Sequence, residues 1–344
     1  MKKAAILATV ILATAFLAAC RIDTSDGGQT GGNVPEPSAV VSEDTKNDLT
    51  DSASLPEDTK EAEPMVITKA IKFNKGTVKN SVQGMSVWQG KLFQLYHTGD
   101  CNVFDLDSGS PDPIATFRLG SASDGNHANN CNFSTVHYNG NPIPLLYVVD
   151  GNSGDVMKCS VENIVEKDGK YTSERIQTLH LDQSGFAAAG YMPYWGWPSW
   201  IVGTDGEYIW LHGARYRTNR SMDAYYDENR YIITKFRLPS PDKKLVVLTV
   251  ADVVEQFTTE YDVNFTQGGT VYGKYLFYTF GTGKTDNPSA IRAWDLEAKK
   301  LLPPIDVSEV TEELEDCTVI GDRLYFITQK SNLYYIPLSS AVGK

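Results

Sequence analysis

Five two-residue signatures recur along this chain in the same local setting: Leu92-Phe93, Leu146-Tyr147, Ile209-Trp210, Leu276-Phe277 and Leu324-Tyr325. Each follows a short apolar run and a Gly-bearing turn, and most precede a second β-rich run. Measured on the aromatic residue, their spacings are 54, 63, 67 and 48 residues. A supersecondary unit that returns at such a period marks a repeat architecture, because one unit cannot bury its own apolar faces and stacking neighbours can. Here the unit reads as β, since apolar and polar residues alternate in runs of four to eight between Gly, Pro, Asn and Asp.

The first unit divides into strands at 84–89, 92–96, 102–106 and 114–119, with a hairpin-type turn at Asp107-Ser108-Gly109-Ser110 between the last two. The second gives 133–138, 145–150, 156–161 and 175–181. The third gives 199–202, 208–212, 231–238 and 245–250. The fourth gives 269–272, 275–280, 290–296 and a short 301–307. The fifth has only 317–320, 323–328 and 332–338 before the chain stops. Four short antiparallel strands per unit is the pattern of a propeller blade. The reading is therefore all-β: a five-bladed β-propeller of four-stranded antiparallel blades, closed by the unassigned run 66–73 joining the last blade and removing an open edge. Two similar stretches, 250–255 and 307–312, are expected as single helical turns between a fourth strand and the next inner strand. The competing fold is a β-sandwich, which also shows strands at this density but gives no reason for a five-fold repeat of whole units.

Ahead of the repeats, Met1-Lys2-Lys3 is a basic head and residues 4–19 are an apolar run of 16 that ends at Cys20. Such a run is short for a membrane-spanning helix and fits a secretory signal peptide. Leu17-Ala18-Ala19-Cys20 resembles the lipobox of bacterial lipoproteins. That resemblance implies cleavage before Cys20, lipid (palmitate among the acyl chains) on Cys20, and attachment to a membrane. The competing reading is an ordinary signal peptide followed by a chance Cys.

Residues 21–64 hold eleven acidic against three basic residues, many Ser, Thr, Gly and Pro, and no aromatic residue. That is −8 of the chain's −12 net charge, so acidity says little about the remainder. A segment of this composition cannot bury enough apolar surface to offset chain entropy. The expected organisation is thus a signal peptide at 1–19, a lipid-anchored acidic tether at 20–64 and a propeller domain at 65–344. The expected address is exported and membrane-anchored, at the outer membrane and cell surface or on the outer face of the plasma membrane. Asp23 and Asp26 loosely resemble surface-export signals of some lipoproteins. A monomer is expected. No Lys/Arg stripe is present, which argues against nucleic acid.

Four further cysteines, Cys101, Cys131, Cys159 and Cys317, lie in the domain. An exported compartment permits disulfides, and four Cys allow three pairings; buried free thiols are the alternative. Without CxxC or Cys/His spacing a zinc site is not expected. No cofactor is expected either, although a channel cation such as calcium stays open.

Because strands alternate in direction, inner-strand starts share one face with the loops between second and third strands. In propellers that face, around the channel, usually carries the ligand. It would hold Gln83, Gly84 and Met85; His127, Asn129 and Asn130; Trp195, Trp197 and Trp200; Gln267; and Glu315 with Asp316. Loops 97–101, 213–230 and 282–289 would join them, the longest contributing Arg215, Tyr216, Arg217, Arg220, Tyr225 and Tyr226.

Residues 191–200 place five aromatics in ten residues, broken by Gly and Pro. Flat apolar faces with a polar edge suit sugar rings; the alternative is a packed plug. His127, Asn129 and Asn130 could hydrogen-bond hydroxyl groups, or simply cap their own loop through Asx turns. Glu315 and Asp316 are candidates for cation binding or acid/base work, against the plainer reading of a solvated helix end. Gly283-Lys284-Thr285 fails as a phosphate loop, because Tyr278 stands where the leading Gly belongs. No nucleophile-elbow motif occurs.

In architecture, these five units resemble five-bladed propeller lectins and the glycoside hydrolases that act on arabinans or fructosides. The hydrolase resemblance would imply carboxylates at inner-strand starts of different blades. Here those starts carry Gln83, Asn130, Trp197 and Gln267, with acid in the fifth alone. The expectation is therefore a non-catalytic propeller that binds a glycan or similar extracellular ligand at the channel face. One alternative is a hydrolase or lyase using His127 with Glu315 or Asp316; another is a protein-docking scaffold acting through loop 213–230.

Overall fold

The computed structural model describes residues 65–124, 126–150, 157–216, 228–260 and 266–342. The expected signal peptide, Cys20, the tether at 20–64, and Arg217, Arg220, Tyr225 and Tyr226 lie outside the described residues.

The domain is a five-bladed β-propeller closed by its first strand. β1 (Thr68–Lys72) precedes the first blade, which is β2 (Val82–Trp88), β3 (Lys91–Tyr96), β4 (Asp100–Asp105) and β5 (Ala115–Arg118). The second blade has β6 (Cys131–Phe133), β7 (Leu146–Asp150), β8 (Lys158–Lys167) and β9 (Lys170–Leu181). The third has β10 (Trp195–Val202), β11 (Tyr208–Ala214) and β12 (Arg230–Arg237). Next come β13 (Leu245–Leu248) and β14 (Val253–Glu260). The fourth blade is β15 (Thr266–Tyr272), β16 (Tyr275–Phe280) and β17 (Ala290–Asp295), its edge split into β18 (Lys300–Leu301) and β19 (Ile305–Asp306). The fifth is β20 (Leu314–Ile320), β21 (Arg323–Thr328) and β22 (Asn332–Pro337), and β1 lies antiparallel to β22, with Thr68 opposite Tyr335 and Lys72 opposite Asn332.

Alternation along each strand feeds two interfaces at once. In β3, Leu92 and Tyr96 pack toward the fifth blade with Ile327 and Leu333. Phe93 and Leu95 point the other way and pack with Leu146 and Val148 of the second blade. The pattern repeats round the ring and yields five apolar layers, one between each pair of neighbours.

The chain departs from the sequence expectation in the second and third units. The outer strands of the second blade form a long hairpin through Asp168 and Gly169, both with positive φ. Residues 245–248 are not the third blade's outer strand. After β12 the chain meets Pro239 and Pro241, crosses to the second blade, and pairs in parallel with β9, Leu245 opposite Thr178 and Leu248 opposite Leu181. Gln177 Nε2 holds the crossing by donating to the carbonyls of Ser240 (2.8 Å) and Lys243 (2.9 Å). A 3₁₀ turn at Val250–Asp252, with a capping box between Thr249 and Asp252, then returns the chain to the third blade as β14. The expected turn at 250–255 thus precedes the fourth strand rather than following it. Residues 307–312 form a non-helical turn closed by Val310 N donating to Val307 O (2.9 Å).

Phe73 follows β1, is buried, packs its ring at a tilt against Phe104 with 4.1 Å between centroids, and donates its N–H to Ser331 O at 2.9 Å. Phe73→Ala should cost about 3–5 kcal/mol and should speed amide hydrogen exchange along β22. A denaturation midpoint equal to wild type would contradict a stabilising role for ring closure.

Candidate functional site

Four of the five inner strands break register at their starts. The irregularity falls between Val82 and Met85, between Trp195 and Ser199, between Thr266 and Gly269, and between Leu314 and Asp316. In the second blade the ladder begins at Cys131, and Asn130 contributes its carbonyl to Val149 N (2.9 Å). Bulges re-aim side chains next to sites and rims. Here they carry Gln83, Trp197, Gln267 and Glu315, all residues expected on the channel face.

Asp316 is the hub of this end. Its Oδ2 accepts from Met85 N (2.9 Å) of the first blade and Cys131 N (3.3 Å) of the second. Its Oδ1 accepts from Cys317 N (2.8 Å) and from Asn130 Nδ2 (3.1 Å). Asn130 Nδ2 and Asn132 Nδ2 both reach Gly269 O of the fourth blade at 3.0 Å, and Ser199 Oγ of the third donates to Gln267 O at 3.0 Å. The close approach requires glycine. A Cβ on Gly268 would lie 2.2 Å from Asp316 Oδ1, and one on Gly84 would lie 3.0 Å from Ala128 O.

Glu315 and Asp316 are therefore buried strand residues, which replaces the reading of a solvated helix end. Burial pushes both carboxyls well above the usual range; for Glu315 the neighbouring charges of Glu313 and Asp316 push the same way. For Asp316 the backbone and Asn130 donors work in the opposite sense and match the ionised form.

His127 does not meet either carboxylate in the hydrogen bonds of the described residues. Its Nδ1 lies 2.6 Å from Nδ1 of His97, with the rings edge to face at 4.5 Å between centroids. Burial, then His97, holds its pKa below the ordinary value. Asn129 is half-buried in the same loop. Sequence reading put His97 in a face loop but missed this pair, because nothing local links residues 30 apart.

The aromatic stretch separates into two kinds of tryptophan. Trp200 is wholly buried between the second and third blades, so its ring is core and not a contact surface. Trp195 and Trp197 are 40 % and 49 % exposed, edge to face at 6.4 Å. Two glutamines grip the segment before them. Gln256 accepts from Met192 N (2.6 Å) and donates to Met192 O (3.0 Å). Gln183 does the same for Tyr194, at 2.7 Å and 3.0 Å. Tyr194 is buried, its hydroxyl 2.9 Å from Leu211 O and 2.6 Å from Thr234 Oγ1. Trp195 is register partner to Ala214, which places Arg215 and Tyr216 next in line. There the Arg215 guanidinium stacks over the Tyr216 ring at 4.6 Å, and the Asn229 side chain bonds both the N–H and C=O of Tyr216. Trp195–Trp197 and Arg215–Tyr216 are thus two pairs on neighbouring strands, linked by the register of Trp195 with Ala214.

The four domain cysteines are buried free thiols, so no disulfide joins them; burial pushes Cys101, Cys131 and Cys317 well above the normal thiol range. His212, not singled out from sequence, is fully buried against Tyr231, Tyr278 and Trp294, and burial lowers its pKa to about 3. It is a neutral core residue. Among the described residues no three His, Cys, Asp or Glu side chains gather as a metal-holding group. No protein-family model matches the chain, and no curated protein sequence matches it.

Asp316→Asn keeps the shape but turns an NH₂ toward backbone donors that need an acceptor. A loss of about 2–4 kcal/mol is expected in chemical denaturation, from unsatisfied buried groups. A variant as stable as wild type would remove Asp316 from its place as the clasp of the ring.

Proposed function

We propose that this protein is an exported, lipid-anchored propeller that binds a glycan or a similar extracellular ligand without transforming it. The observation that carries the reading is the exposed pair Trp195 and Trp197 on a gripped, bulged strand beside Arg215 and Tyr216. Rigid rings bury ligand area with little loss of side-chain entropy, and a guanidinium at the edge supplies donors for hydroxyl or carboxylate oxygens. Against catalysis stands the distribution of acid. Glu315 and Asp316 are neighbours on one strand and both buried, whereas glycoside hydrolysis uses two carboxyl groups flanking the bond that breaks.

The anchor reading rests on the lipobox-like Leu17-Ala18-Ala19-Cys20 after an apolar run. No helix among the described residues is long and apolar enough to cross a membrane. Several acyl chains on one Cys would hold the domain firmly, as one chain alone binds marginally.

Titration calorimetry of the folded domain against a glycan panel should find a ligand whose affinity falls at least about tenfold in Trp197→Ala, the loss of one good aromatic contact. The variant's melting temperature should stay within a few degrees of wild type, because the ring is half in solvent. Retention of full affinity in a Trp195→Ala/Trp197→Ala double variant would end this reading. For the anchor, Cys20→Ser should move the protein from the membrane to the soluble fraction; an unchanged membrane share would refute lipidation at that residue.

A further inference from the structure

The axis of the propeller holds more acceptors than the protein has donors to satisfy. Asn130 is turned so that its Nδ2 faces two acceptors, Asp316 Oδ1 and Gly269 O. Asn132 Nδ2 faces Gly269 O as well. These contacts fix which end of each amide is nitrogen, and they leave the carbonyl oxygens looking elsewhere. Asn130 Oδ1, Asn132 Oδ1 and Gln83 Oε1 are all buried and meet no protein donor. Their residues are 0 %, 5 % and 7 % exposed. An amide oxygen removed from water with nothing donating to it costs about 1–3 kcal/mol, so three in one neighbourhood call for a physical reason.

They do share a neighbourhood. Asn130 touches Asp316 directly. Gln83 is followed by Gly84, whose Cβ position lies 3.3 Å from the Asn130 carbonyl carbon, and then by Met85, which donates to Asp316. Glu315 adjoins Asp316 in the bulge of β20 and is 3 % exposed. Two buried carboxyls and three amide oxygens without a donor thus stand together at the axis.

We infer that the axis binds a hard, oxygen-preferring cation of the calcium class, held by the Glu315 carboxylate with the amide oxygens of Gln83, Asn130 and Asn132, beside the Asp316 clasp. The donor set selects the metal. It consists wholly of carboxylate and amide oxygens, which suit calcium-like ions rather than zinc or copper. The ligands come from the first, second and fifth blades, and Asn130 and Asn132 are tied to the fourth through Gly269, so a bound ion would cross-link most of the ring. This site is separate from the Trp195 and Trp197 edge, and either can fail without the other.

The test uses the folded domain, stripped with EDTA and exchanged into chelator-free buffer, with its melting temperature followed against CaCl₂, MgCl₂ and NaCl. A saturating rise with calcium is expected, as mass action requires of any ion that binds only the folded state. Glu315→Gln should lose that rise, and in metal-free buffer should melt no lower than wild type, since a neutral amide of the same shape replaces the buried carboxyl. Gln83→Leu, which leaves every carboxylate in place, should also lose the rise and covers the case in which Glu315→Gln does not fold. No cation-dependent shift in wild type, with ordered water satisfying the amides instead, would overturn the inference. An equal shift in wild type and Gln83→Leu would overturn it too.

Discussion

The fold depends on strands that are apolar on both faces. A sheet with one apolar face is satisfied by a single neighbour, as in a sandwich. In β3, however, Leu92 and Tyr96 look one way while Phe93 and Leu95 look the other, and all four are buried. Each blade therefore needs two neighbours, and a row of such blades always leaves one apolar face bare at each end. Closing the row into a ring removes both. β1 then does for the backbone what closure does for the side chains, covering the edge of β22.

Much of this could be read from residues alone, since period-two alternation and Gly-bearing turns are local. The closing strand was legible because the fifth unit came up one strand short while an unused β run stood ahead of the first. The excursion through β13 was not. Residues 245–248 have strand character whichever blade they join, and what sends them to β9 is a Gln177 side chain about 70 residues away together with two prolines. Alternation specifies that a segment is a strand, not its partner.

The candidate site divides in the same way. Each inner strand begins two to four residues ahead of its expected start, and in four of them the bulge there sets Gln83, Trp197, Gln267 and Glu315 out of the ladder. Sequence could not separate Trp200 from Trp197, because three positions along a bulged strand exchange solvent for core. Nor could it show that Asn130 donates to Asp316. Both are polar residues beside a channel in the chain, and only the fold reveals that they are 3.1 Å apart across 186 residues.

The polar axis and the aromatic edge are two answers to one geometric difficulty. Where five strands converge, side chains of ordinary size do not fit, so glycine stands at 84, 268 and 269 and the backbones approach closely. Close backbones bring their N–H and C=O groups into a region poor in water, where each must find a partner. Asp316 supplies partners for the N–H groups of Met85, Cys131 and Cys317, and Asn130 and Asn132 for the carbonyl of Gly269, which makes the axis stiff. A stiff axis in turn fixes where each bulge projects. Trp195 and Trp197 then need only the Gln183 and Gln256 grips to be held outward. Their exposure follows from those grips and from the bulge between Trp195 and Ser199. The strand that carries the tryptophans is thus pinned at two places, by Ser199 bonded to Gln267 O at the axis and by Gln183 gripping Tyr194 ahead of it.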